Sequence, residues 1–192
     1  MTGDGLSRCD WAAHGPELMV DYHDREWGRP LHGRTELFER ISLEAFQSGL
    51  SWLVILRKRE NFRRAFDGFD VEAVAAYTGR DTDRLMADAG IVRNRAKIEA
   101  TIANARAVAA LDTDLCALLW SFAPPPRPRP ATVAEVPSQT PESVALAREL
   151  RRRGFRFVGP TTAYALMQAT GMVDDHVRDC FVAPAATAGF TP

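Results

Sequence analysis

Two thiols and two imidazoles are the residues best suited to hold a metal. Cys9 and His23 lie near one end of the 192-residue chain, His176 and Cys180 near the other. Thiolate sulfur and neutral imidazole nitrogen are the donors that enclose a tetrahedral zinc ion. His176 and Cys180 are four residues apart, a spacing that places two side chains on one helical face. Nothing in the spacing links the two ends, so two readings stay open. One is a closed zinc site tying the terminal segments together; the other is buried free thiols with surface histidines. Asp21, Asp24, Asp174 and Asp175 flank the histidines and can orient their second ring nitrogens.

A single acid among aromatics is the second candidate. Glu44 is surrounded in sequence by Ile41, Leu43, Ala45 and Phe46, and Trp11, Tyr22, Trp27 and Trp52 supply flat apolar rings. A carboxylate in that setting is either desolvated and functional or simply on the outer face of its helix. The third candidate is a basic hairpin over 141–170. Gly159 permits close backbone approach, and the N–H groups heading the next helix form a phosphate site. Arg148, Arg151, Arg152, Arg153 and Arg156 lie around it. An ordinary helical hairpin with a solvated basic face fits the same pattern.

The elements that position these groups read as helices almost throughout. Residues 34–48 place Leu37, Phe38, Ile41 and Ala45 on one face. After Gly49, Ser51 is placed to cap a helix over 52–66 that buries Leu53, Leu56, Phe62 and Phe66 and carries five cations among residues 57–64. Asp70 caps a segment to Tyr77, and Asp81 one to Ala89. A long helix follows over 93–111, with Ile98, Ile102, Ala105, Val108 and Ala109 inward and Arg93, Arg95, Lys97 and Arg106 outward. Asp112 or Asp114 starts the next helix, ending near Phe122. Residues 123–137 are a Pro-rich loop, too dense in proline for helix or sheet. Thr140 and Pro141 open a helix to Arg153, and Pro160 opens one to Gly171.

Lys and Arg number 24 and Asp and Glu 25, a formal net charge of -1, so attraction to a polyanion must come from local clustering. No apolar run is long enough to span a bilayer, and Met1–Leu6 lacks the form of a secretory signal. Three cysteines are a poor disulfide framework, so a cytoplasmic location is expected.

Several strings resemble one family. They are Tyr22–Gly28 (YHDREWG), Leu43–Trp52 (LEAFQSGLSW), Arg57–Phe62 (RKRENF), Asp88–Ile98 (DAGIVRNRAKI), Leu119–Phe122 (LWSF), Arg153–Gly159 (RGFRFVG) and Asp174–Val177 (DDHV). In order and spacing, over about residues 8–181, they are similar to 3-methyladenine DNA glycosylase I. The resemblance implies an all-α fold, a helix-hairpin-helix DNA glycosylase with a zinc-binding cap joining the N- and C-terminal segments. It also implies one domain over 1–192 containing the helix-hairpin-helix at 141–170. Position by position, Cys9, His23, His176 and Cys180 match four zinc ligands for one structural ion, and Glu44 matches the carboxylate that reads the flipped base. Tyr22 and Trp52 match aromatics that stack on the base, with Trp11 and Trp27 nearby. Gly49 and Leu50 match the stretch that fills the gap in the duplex, and Gly159 and Arg156 belong to the DNA-binding hairpin.

The implied activity is that of a monofunctional enzyme. It would excise 3-methyladenine from double-stranded DNA by hydrolysis, releasing the free base and leaving an abasic site. A monomer suffices for such an enzyme. At Thr161, where bifunctional relatives carry a Schiff-base lysine, this chain has no amine. Asp174 stands where the family commonly has Asn, and is either a solvated outer residue or an extra carboxylate near the sugar. Two other readings compete: a non-catalytic, zinc-stabilised damaged-DNA-binding module, and a zinc-dependent hydrolase with His23, His176 and Asp174 or Asp175 around an open metal.

Overall fold

The computed structural model describes residues 5–184, and among them every regular element is helical. The opening residues 1–4, part of the stretch read as lacking a signal, lie outside the described residues, as do 185–192. Ten α-helices follow in chain order: α1 (Asp10–Ala13), α2 (Glu17–Arg25), α3 (Arg34–Gln47), α4 (Trp52–Ala65), α5 (Val71–Ala75), α6 (Gly79–Ala87), α7 (Arg95–Ala109), α8 (Leu115–Trp120), α9 (Pro141–Arg152) and α10 (Pro160–Ala169).

Short polar side chains start most of the later helices by accepting an otherwise unpaired backbone N–H. Asp70 accepts from Ala73 N at 2.8 Å, Asn94 from Lys97 N at 3.1 Å and Asp114 from Ala117 N at 3.0 Å. Thr140 and Ser143 bond each other's backbone N–H at the head of α9. The expected start of α6 moves. Asp81 is not the cap of α6; it sits inside the first turn and reaches back to Thr78 N at 2.8 Å, so Thr78 is the cap. Ser51 is the cap residue of α4 as expected, though its side chain makes no cap bond.

The core runs along α3, whose residues from Leu37 to Phe46 are nearly all buried. This helix packs against α4, α7, α8 and α10. Phe46 and Phe62 pack with ring centroids 4.6 Å apart, and Phe66 stacks on Phe69 at 5.5 Å. On α4 the inward side chains are Ile55, Leu56 and Phe62, with Leu53 only half-buried. On α7, Ala109 is exposed and Lys97 turns inward, the reverse of the expectation. The ammonium of Lys97 donates to the carbonyls of Phe46 (2.9 Å) and Ser48 (2.5 Å), satisfying the end of α3. A helical pattern read by residue type assigns a lysine to solvent; here its charge is spent on carbonyls that no backbone donor reaches.

The chain turns between α9 and α10 through Gly154 at φ +93° and Phe157 at φ +56°. Asn104 of α7 brackets the backbone of Arg156, accepting from its N–H at 2.7 Å and donating to its carbonyl at 3.1 Å. Gly171, at φ +75°, ends α10 where a Cβ would lie 2.7 Å from the backbone of Arg29 and Pro30.

Candidate active site and metal cluster

A cavity of about 320 Å³ opens beside α3. Its walls include Trp11, Tyr22, Trp27, Glu44 and Trp52, so five residues singled out from the sequence converge there. Met19, Gln47, Val133, Val136, Ala165, Gln168 and Asp175 complete the lining. Of these, Gln47 was findable, since it lies one helical turn after Glu44. The two valines come from the far end of the Pro-rich loop, and no local pattern connects them to α3.

Glu44 is 5% exposed, and its Oε2 is buried without a hydrogen-bond partner among the described residues. Burial pushes its carboxyl up to about 7, against a smaller opposing pull from Arg40. Trp52 Nε1 is likewise buried and unpartnered. An acceptor and a donor left unsatisfied on one apolar slot are costly unless something binds there. Tyr22 and Trp52 stand with ring centroids 5.3 Å apart, tilted by 47°. A flat base stacked between two rings needs about 7 Å, two contacts of about 3.5 Å each. As they stand, the two rings therefore form a corner of the slot, against which a base stacks on one ring at a time.

Cys9, His23, His176 and Cys180 converge beneath this slot, all four buried, with their ligand atoms within 4.8 Å of one another. Cys180 Sγ lies 3.5 Å from both His23 Nε2 and His176 Nδ1, and Cys9 Sγ is 3.7 Å from His176 Nδ1. Metal bonds of about 2.0–2.3 Å at tetrahedral angles place neighbouring donors roughly 3.4–3.8 Å apart, so the cluster fits one such ion. Burial, and after it the neighbouring Cys180, push the Cys9 thiol up to about 12 against the bond from Val177 N–H; a thiolate at this place requires a cation. The free rings are aimed by their other nitrogens: His23 Nδ1 is 2.7 Å from Asp24 Oδ1, and His176 Nε2 is 3.1 Å from the Trp27 carbonyl. Arg8 fixes Asp24 in turn at 2.8 Å. Gly28, at φ +77°, lies where a Cβ would come 3.0 Å from His176 Nε2.

Two details differ from the sequence reading. His176 and Cys180 meet through a turn, closed by Cys180 N donating to Val177 O, and not on a helical face. Of the four flanking acids only Asp24 orients a histidine. Asp21 pairs with Arg25, Asp174 with Arg129 and Asp175 with Arg127, at 2.8, 2.8 and 2.7 Å. Asp174 also accepts from the backbone of His176 and does not line the slot, whereas Asp175 does. An open metal site completed by either acid is therefore not what these side chains form.

Between α3 and α4, Gly49 adopts φ +79° and Leu50 projects, 41% exposed. At the α9–α10 hairpin Gly159 precedes α10 with φ −93°, a conformation open to any residue, and Arg156 is exposed. The surrounding cations are partly neutralised: Arg152 and Arg153 both bind Glu149, and Arg153 also pairs with Asp112. Their excess charge is smaller than five arginines suggest.

The methyladenine glycosylase family profile matches residues 11–183. DNA-3-methyladenine glycosylase 1 of Escherichia coli (strain K12) is 45% identical over 184 residues, covering 93% of this chain and 98% of that protein. A crystal structure of 3-methyladenine DNA glycosylase I superposes with a TM-score of 0.89 at 45% identity, covering 93% of this chain and 100% of that one. A variant of 3-methyladenine DNA glycosylase I solved in complex with 3-methyladenine gives 0.86 at 32% identity, covering 92% and 97%. The chain belongs to the methyladenine glycosylase family.

Proposed function

We propose that the protein is a monofunctional DNA-3-methyladenine glycosylase, which flips the damaged nucleotide out of duplex DNA and hydrolyses its N-glycosidic bond. The observation that carries this reading is the buried, unpartnered Glu44 oxygen facing an aromatic slot. Methylation at N3 makes the nucleoside cationic and weakens the glycosidic bond. A flipped base of that kind gains stacking of about 1–3 kcal/mol on Tyr22 or Trp52, with cation–π attraction added. An anionic Glu44 accepts from its exocyclic amine, a charge-assisted bond that fills the vacant acceptor. Undamaged adenine, neutral and firmly paired, gains less at each step and costs more to extrude.

Trp11 and Trp27 close the slot's inner end. Leu50, presented by Gly49, is the side chain suited to fill the space the base leaves. Gly159 and Arg156 hold the phosphate strand beside the head of α10. Thr161 offers no amine, so the product is an abasic site and free 3-methyladenine. Asp174, engaged by Arg129, holds the loop and takes no part in bond cleavage. Cys9, His23, His176 and Cys180 bind one zinc ion, whose role is to fasten the terminal segments behind the aromatic wall. We further infer one glycosylase domain over 1–192, with 141–170 as its helix-hairpin-helix, acting as a monomer in the cytoplasm.

The test is the release of bases from methylated DNA, separated by chromatography, by the wild type, Glu44→Gln and Glu44→Ala. The wild type should release 3-methyladenine and both variants should be severely impaired. Unchanged release by both would remove Glu44 from its role, and no release by the wild type would refute the function.

A further inference from the structure

Behind the slot sits a buried cation that base recognition does not account for. Arg40 lies one turn before Glu44 on α3, and its guanidinium is almost fully enclosed. Its Nη1 donates to Tyr22 Oη at 3.0 Å. Its Cζ lies 5.4 Å from the Tyr22 ring centroid and 5.5 Å from that of Trp52, so one planar cation touches both walls of the aromatic corner. Glu26, at the end of α2, lies 3.6 Å from Nη2 and is itself held by Arg59 of α4 at 2.6 Å and 2.8 Å. Three helices are thus joined at the back of the slot by one side chain.

We propose that Arg40 is a positioning residue for base excision, a buried cation that fixes the Tyr22 and Trp52 rings and sets the charge carried by Glu44. The proposal rests on the reading of Glu44 as the base-binding carboxylate. The charged and titratable groups around Glu44 are few. They are Arg40 on its own helix, Tyr22 and Glu26 from the α2 side, Arg59 beyond Glu26, and Asp175 across the slot. Glu26 is shared with Arg59 and Asp175 is engaged by Arg127, so Arg40, one turn before Glu44 on α3, is the cation whose charge acts on it. Its pull opposes the burial that favours a neutral acid. Its hydrogen bond to Tyr22 Oη also anchors the phenol. A guanidinium suits this place because its flat face packs on rings while its edge donates hydrogen bonds, which an ammonium cannot do together.

The experiment compares wild type, Arg40→Met and Arg40→Lys by two readouts. The first is the titration of the Glu44 side-chain carboxyl by carbon NMR, assigned with Glu44→Gln, which needs no activity. The second is the pH profile of single-turnover 3-methyladenine release. In Arg40→Met the Glu44 midpoint should rise by about one pH unit or more. The acid limb of the rate profile should move with it, so that the deficit from titration is about fivefold near neutrality, approaches about tenfold at lower pH and shrinks as pH rises. Arg40→Lys should restore the midpoint while leaving a pH-independent loss, because charge returns without the contact to both rings. An unshifted midpoint in folded Arg40→Met overturns the proposal. A shifted midpoint with an unshifted rate profile would instead refute the role assigned to Glu44.

Discussion

Replacing Asp175 by Asn tests whether the slot's far wall is held by the acid or by its arginine. The Asp175 side chain is 0% exposed, whereas that of its partner Arg127 is 42% exposed. The carboxylate accepts from Arg127 Nη2 at 2.7 Å, Tyr164 Oη at 2.5 Å and Gln168 Nε2 at 2.8 Å. Asparagine offers one oxygen to these three donors and turns amide hydrogens toward the rest. A hydrogen bond to a charged group contributes about 1.5–3 kcal/mol, and a stranded buried donor adds its desolvation cost. With the half-exposed Arg127 discounted for solvent screening, the expected loss is about 3 kcal/mol. Arg127→Ala leaves the acid two donors and should cost about 1 kcal/mol or less. For a domain of this size each kcal/mol moves Tm by roughly 2–4 °C, so the two variants should melt about 6–12 °C and under about 4 °C below wild type. Urea denaturation followed by circular dichroism supplies the free energies. Equal losses for the two variants would refute the reasoning, because the asymmetry in exposure would then have no energetic consequence.

Removal of the bound metal by a strong chelator, or Cys180→Ser, should lower Tm by more than about 10 °C and abolish excision with the fold, since all four donors are buried. Metal analysis should find one zinc per chain, and a chelated protein that stays folded but inactive would contradict a structural role. Glu44→Gln should stabilise the protein at high pH. Burial lifts the native carboxyl from the ordinary carboxylate range to about 7, so wild-type stability falls as pH rises through that window, where the native state alone holds the proton. The variant should therefore be more stable by on the order of 3 kcal/mol above about pH 8 and nearly equal to wild type below about pH 4.5. A difference that does not vary with pH would count against a buried, unpaired acid. Leu50→Ala should change stability by under about 0.5 kcal/mol, because the side chain is 41% exposed, yet slow excision from duplex DNA more than from single strands. Equal slowing on both substrates would contradict a gap-filling role.

How much of this was legible in the sequence depends on how local each signal was. Helix starts at Asp70, Asn94, Asp114 and Thr140 are written in one residue and its neighbour three positions on; Asp70 and Thr140 read correctly, Asp114 is one of two candidates with Asp112, and the start at Asn94 reads one residue early, at Arg93. The short α1 and α2 carry no side-chain cap, and nothing in the pattern marked them. Glu44 and the four aromatics were visible as residue types, but their meeting in one cavity is a tertiary fact that the family resemblance supplied. Nothing in the sequence separates Arg40 from a surface arginine on an amphipathic helix. Its burial follows from Tyr22 and Glu26, which arrive from α2. Lys97 misled for the same reason, since its partners are carbonyls at the far end of another helix. Asp174 and Asp175 were adjacent and indistinguishable in sequence; only the approach of Arg129 to one and Arg127 to the other separates them.

Binding of free 3-methyladenine, followed by quenching of tryptophan fluorescence at about pH 8, tests the role of Glu44 without DNA, metal or turnover intervening. Wild type should bind at least about tenfold more tightly than Glu44→Gln, the loss expected when a charge-assisted hydrogen bond becomes a neutral one. Equal affinities would contradict the assignment of that carboxylate as the group that recognises the base.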